Sequence, residues 1–177
     1  MLSPERLDAL QRDWVRLLGD YGVTPADAYP VFDRLVAAHA EPHRHYHTLE
    51  HLAEVFRVVG RLAGHAADIG AVRLAVWFHD AVYDPRATDS EARSADLAVV
   101  LLSGLGVPAG TVAKVVTLVN ATAHLAPADP PTDPDVIVLL DADLAILGAS
   151  EERYRRYAAD VRKEYASLLT MCDSHLG

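Results

Sequence analysis

An all-α, single-domain bundle of about eight helices is the fold this sequence predicts, on three observations. Apolar residues recur at three- and four-residue intervals along nearly the whole chain. Capping residues and glycines punctuate that pattern at helix-length intervals. No alternating β-branched run bounded by hairpin turns is found, and there is no repeat or internal linker.

Each element has its own signal. Ser3-Pro4-Glu5 reads as a helix start, with a capping hydroxyl, a proline in the first turn and an early carboxylate. Leu7, Leu10, Trp14, Leu17 and Leu18 then share a face, and Gly19 and Gly22 end the segment. Thr24-Pro25 opens a second helix with Val31, Phe32, Leu35 and Val36 on its apolar face; Pro30 predicts a delayed or kinked start. Thr48 caps a third, carrying Leu49, Leu52, Val55, Val59 and Leu62. From Val72 to Tyr83 the chain is apolar almost all round, the pattern of a central buried helix, which ends at Asp84-Pro85. Asp89 or Thr88 caps the next helix, through Ala92, Leu97 and Leu101 to Gly104 and Gly106. Another covers roughly Pro108 to Ala121, and the Pro/Asp/Ala-rich Pro127 to Pro134 reads as a mobile loop. Asp133-Pro134 opens a helix through Leu140 toward Gly148; the strand-like Val136 to Leu140 belongs to it because of its proline start and helical flanks. Ser150-Glu151-Glu152 opens the last helix, with Tyr154, Tyr157, Val161, Tyr165 and Leu168.

Composition narrows the function classes. The 177 residues carry 16 basic and 25 acidic side chains, a formal net charge of -9, which repels a phosphate backbone and argues against a nucleic-acid polymer as partner. Hydrophobic residues make up 51%, too many for a disordered chain. A lone cysteine, Cys172, excludes an internal disulfide framework and suits a reducing compartment. Met1 to Asp20 has no apolar signal core and no run reaches membrane-span length, so the expectation is a cytoplasmic protein with no membrane partner.

The chemistry concentrates in three places. Five of nine histidines lie between His39 and His51. His39, His43 and His45 read as solvated or capping residues of a helix junction, and Arg44 as a surface arginine or a bidentate phosphate contact. His47 and His51 flank the Thr48 cap, so both imidazoles face whatever that helix start faces. His79-Asp80 closes the most apolar helix, where a carboxylate needs a partner: a metal cation, a buried arginine or a helix N-terminus. In Asp141-Ala142-Asp143 the two carboxylates lie on nearly opposite helix sides, so at least one is exposed or capping. His51, His79, Asp80 and Asp143 can converge from three helices, a common way to build a metal site in a bundle. Two imidazoles and two carboxylates suit Mn, Fe, Co, Ni or Zn rather than Ca, with Mg also open.

The order His51, then His79-Asp80, then Asp143 resembles the HD-domain superfamily of metal-dependent phosphohydrolases. His45 to His51 (HYHTLEH) with Val55 is similar to the YHNxxH segment of its cyclic-nucleotide phosphodiesterase branch. Trp77 to Asp84 (WFHDAVYD), Asp89-Ser90-Glu91 with Ser94-Ala95, and Asp141 to Gly148 (DADLAILG) resemble a compact bacterial family of predicted HD phosphohydrolases. The resemblance covers about residues 29–165, within one HD-type domain spanning 1–177. It implies a divalent ion on His51, His79, Asp80 and Asp143, with Asp80 also part of the catalytic centre. His47 stands at the proton donor's place, and Glu91 and Asp84 are candidates for holding the attacking water or a second metal. His124 is a candidate for a second metal or phosphate; helix capping for Glu91, a loop turn for Asp84 and a helix-end position for His124 are the alternatives. The family continues past the position of Tyr165 with a further basic, apolar helix. A C-terminus shortened to Ser167 to Gly177 is expected to expose apolar surface and favour homo-oligomers.

The expected activity is hydrolysis of a phosphomonoester, phosphodiester or pyrophosphate bond in a small, nucleotide-like molecule. A non-catalytic metal- or nucleotide-binding module and an HD-type di-iron oxygenase are the alternatives.

Overall fold

The computed structural model describes residues 2–123 and 130–166. Among these the chain is all helical, with eight α-helices and no strand: α1 Pro4–Gly19, α2 Pro25–His39, α3 Leu49–Leu62, α4 Ile69–Phe78, α5 Ser90–Gly104, α6 Ala109–Ala121, α7 Pro134–Asp143 and α8 Glu151–Glu164. Short 3-10 turns, Ala63–His65 and Leu144–Gly148, follow α3 and α7. Side-chain caps set most starts. Ser3, Thr24, Thr48, Asp68 and Asp133 each accept a backbone N–H one to three residues into the helix they open. Asp89 stands at the N-cap of α5 as expected, without a side-chain hydrogen bond to the helix.

Two expectations about helix ends are corrected. Pro30 neither delays nor displaces α2, which starts at Pro25. Pro30 deprives only the carbonyl of Ala26 of its helical partner, and Ala26 is exposed, so water satisfies it. The central helix stops at Phe78 rather than running to Tyr83. Beyond it the backbone bonds to side chains from elsewhere: Arg44 takes the carbonyls of Asp80 and Ala81, and Ser94 bonds the amide and carbonyl of Val82. Of the segments read as a mobile loop and a shortened end, residues 124–129 and 167–177 lie outside the described residues.

The central helix α4 packs against α1, α3, α5, α6 and α7 and is buried on every side. Trp77 is its largest side chain, ringed by Trp14, Phe32 and Phe56 at centroid distances of 5.3, 5.6 and 5.4 Å. Trp14 is fully buried and its indole N–H donates to the Ala28 carbonyl at 2.9 Å, so the ring joins α1 to both α2 and α4. This core holds the C-terminal end of α4, where His79 follows, against the first turn of α3 and the end of α7. Trp14→Ala is expected to cost about 3–5 kcal/mol in urea unfolding, whereas Tyr29→Ala, at a 44% exposed position, should stay within about 0.5 kcal/mol.

Candidate metal centre

Three helix ends supply the cluster. His51 lies in the first turn of α3, His79 and Asp80 at the C-terminal end of α4, and Asp143 at the last residue of α7. His51 Nε2 lies 3.3 Å from His79 Nε2, 3.1 Å from Asp143 Oδ1 and 3.6 Å from Asp80 Oδ2. His79 Nε2 is 3.1 Å from Asp80 Oδ2 and 3.6 Å from Asp143 Oδ1. His51, His79 and Asp80 form a mutually close group that could hold a metal ion; Asp143 joins it through the two imidazoles. Metal–ligand bonds of about 2.1 Å put neighbouring ligand atoms about 3.0–3.4 Å apart in octahedral or tetrahedral shells, close to the 3.1–3.6 Å spacing among His51, His79 and Asp80. Asp141, the other carboxylate of that motif, is exposed.

The electrostatics agree with a cation-binding group. Burial opposes charge on His79, but Asp80 and Asp143 outweigh it and draw the imidazole well above its ordinary pKa. Burial likewise works against the ionised carboxylates, yet the imidazoles hold Asp80 and Asp143 below the usual range. A divalent ion meets the same demand without the protons. The Nδ1–H of His79 donates to the Val76 carbonyl at 2.9 Å, which leaves Nε2 as the nitrogen with a free lone pair.

Beside the cluster stands a second unit. His47 is just ahead of the Thr48 cap, and its Nδ1–H donates to Glu164 Oε2 at 2.7 Å. The same Oε2 accepts the Tyr83 hydroxyl at 2.8 Å, and Oε1 accepts the amides of His45, Tyr46 and His47 at 2.6, 2.7 and 3.0 Å. Burial opposes the charge on both partners; the Asp80 charge and Glu164 nevertheless raise His47 above its ordinary pKa. His47 and the backbone amides hold the Glu164 carboxyl down at about 2.

Glu164 is missing from the residues read as functional in the sequence. Its signal was available: it lies three residues after Val161 and seven after Tyr157, a carboxylate on the apolar stripe of α8. It is also the buried residue of that helix.

Other candidates fall differently. Arg44 is no surface arginine and has no free face for a phosphate. Its buried guanidinium donates to Glu41 and to the carbonyls of His47, Asp80 and Ala81. His39 is buried, not solvated: Nδ1–H donates to the Leu35 carbonyl, Nε2 has no hydrogen-bond partner among the described residues, and burial lowers its pKa to about 3. His43 and His45 are exposed as expected. The Asp84 carboxylate is taken by Arg86, through the backbone amide and the guanidinium. Glu91 does not cap α5; it lines a cavity with His47, Asp80 and Asp143. His124 lies outside the described residues.

Two cavities border the cluster. One, of about 770 Å³, opens between α1, α3 and α8 and reaches His51 and Asp143. The other, of about 180 Å³, is lined by His47, Asp80, Glu91, Asp143 and tyrosines from α8 and the loops.

The fold and site define an all-helical protein with a buried His-His-Asp group that could hold a metal ion. No protein-family model, curated protein or solved structure matches the chain. No helix among the described residues is long and apolar enough to cross a membrane.

The Glu164 clamp makes a pH-dependent prediction. Its folded pKa, about 2 against an ordinary 4.5, is depressed. Its stabilisation is therefore fully present above about pH 4.5 and lost as pH falls toward 2. Glu164→Gln should lose about 2–3 kcal/mol at pH 7 in urea unfolding, and the gap to wild type should close between pH 4.5 and 2. A gap constant down to pH 2.5 contradicts the assignment.

Proposed function

We propose that the chain is a divalent-metal-dependent phosphohydrolase of HD-domain type, acting on a phosphate ester of a small molecule. The observation that carries this reading is the placement of His47, held by Glu164, on the same small cavity as Asp80 and Asp143. The motif resemblance supports it independently.

His51, His79, Asp80 and Asp143 would hold the ion. When bound, it supplies a polarised phosphoryl oxygen and a water acidified toward neutrality. The chain's own residues do the rest. Glu164 accepts the hydrogen bond of His47 Nδ1–H, which fixes the ring and turns Nε2 away from the carboxylate. The Asp80 and Glu164 carboxylates raise the His47 pKa, which favours the protonated ring that would deliver a proton from Nε2 to the leaving alkoxide. Tyr83 shares the Glu164 carboxylate, and its ring lies 4.3 Å from that of His47, so the imidazole is held on two sides. Arg44 clamps the carbonyls of His47 and Asp80 and so fixes the spacing of acid and ligand.

Asp80→Ala should abolish metal retention in protein purified without chelator, read by elemental analysis. His47→Ala should keep the metal and lower Mn-supported phosphate release by about 10²–10⁴-fold. Equal metal content in Asp80→Ala and wild type refutes the ligand set. A wild type that binds metal but hydrolyses no phosphate ester across a broad panel is a binding module instead.

A further inference from the structure

We infer that the substrate is a phosphomonoester of a small amino alcohol, its ammonium group seated beside Glu91 in the 180 Å³ cavity. This rests on the phosphohydrolase reading and names the substrate class of that site.

The leaving side is identified by His47. A group that protonates the leaving oxygen must face it, and His47 lines the smaller cavity and not the larger one. The alcohol therefore departs into about 180 Å³, well below the roughly 300–1,000 Å³ of pockets for drug-sized ligands. A two- or three-carbon alcohol bearing an amine fits within that space, whereas a nucleoside would extend beyond it.

Charge selects the amine. Among the described residues, no lysine or arginine lines this cavity, whereas Asp80, Asp84, Glu91 and Asp143 do. Asp80 and Asp143 face the imidazoles, and Asp84 is paired with Arg86. Glu91 alone of the four makes no hydrogen bond or ion pair with a described residue. A polyphosphate would meet the unpaired Glu91 carboxylate here. An ammonium group would supply a counter-charge to Glu91, and Tyr157 and Tyr165 line the same cavity with aromatic rings, groups that attract cations.

The test uses the full chain with Mn, following inorganic phosphate from five esters: 2-aminoethyl phosphate, phosphocholine, its uncharged isostere 3,3-dimethylbutyl phosphate, adenosine monophosphate and p-nitrophenyl phosphate. The expected result is kcat/KM at least about tenfold higher for a cationic ester than for the uncharged isostere. Glu91→Gln should collapse that ratio toward one. Equal or better turnover of the isostere or of the nucleotide overturns the inference and leaves the hydrolase reading standing. A Glu91→Gln protein that slows both esters equally also overturns it. So does a stoichiometry of two ions per chain that falls to one in Glu91→Gln, because the carboxylate is then a metal ligand. No phosphate from any of the five esters defeats the inference together with the phosphomonoesterase form of the hydrolase reading.

Discussion

Charge compensation inside a helical core is the constraint on which this structure depends. Each of two imidazoles lies 3.1–3.6 Å from both of two carboxylates at the meeting point of α3, α4 and α7. Desolvation works against every charged form there, so none of the four is stable alone. Paired, they stabilise one another; together they present converging lone pairs. The helices that supply them are held by apolar packing around Trp77, so the cluster is made by the core and does not make it.

Around the cluster the chain gives up regular structure, and two buried charges take over from the helix ladder. The segment 43–48 and the turn 80–84 would otherwise leave amides and carbonyls unpaired at depth. Arg44 takes three carbonyls, of His47, Asp80 and Ala81. Glu164 takes three amides, of His45, Tyr46 and His47. A cation collects acceptors and an anion collects donors from the same stretch, and His47 is held by both. Charge-assisted bonds suit this task because each fixes backbone more tightly than a neutral partner does. The last helix, whose other described residues are largely exposed, is tied to the site through that carboxylate, the Tyr157 ring against Tyr46 and Arg153 on Glu54.

The fold was legible because helical periodicity and caps are local. Ser3, Thr24, Thr48 and Asp133 start helices as the sequence indicates, and the apolar run after Val72 is the buried centre. The cluster residues were legible because a carboxylate or imidazole inside an apolar helix end stands out against its neighbours. What escaped was long-range pairing. Arg44 reads as a surface residue because its partners lie 36 and 37 positions away; Glu164 reads as one more charge on a polar helix because its partners lie more than 80 positions away. The early end of α4 has the same origin: the turn after Phe78 is stable only once Arg44 and Ser94 have docked, and neither is visible in the local pattern.

The cluster also works as a partition. Asp143 and Tyr46 border both cavities, His51 borders the wide one, and His47 and Asp80 border the narrow one. A displacement at phosphorus places attacking and departing oxygens on roughly opposite sides of the reacting atom. A site closed on one face must admit and release both through one opening. On the proposed hydrolase reading, the wide cavity would admit water to one side of the cluster while the narrow one would confine a leaving group against His47. The separation follows from the helix geometry: α3 turns His51 toward one side, and the loop ahead of the Thr48 cap carries His47 to the other. Four residues of chain thus divide the two roles, and the Glu164 carboxylate keeps them apart.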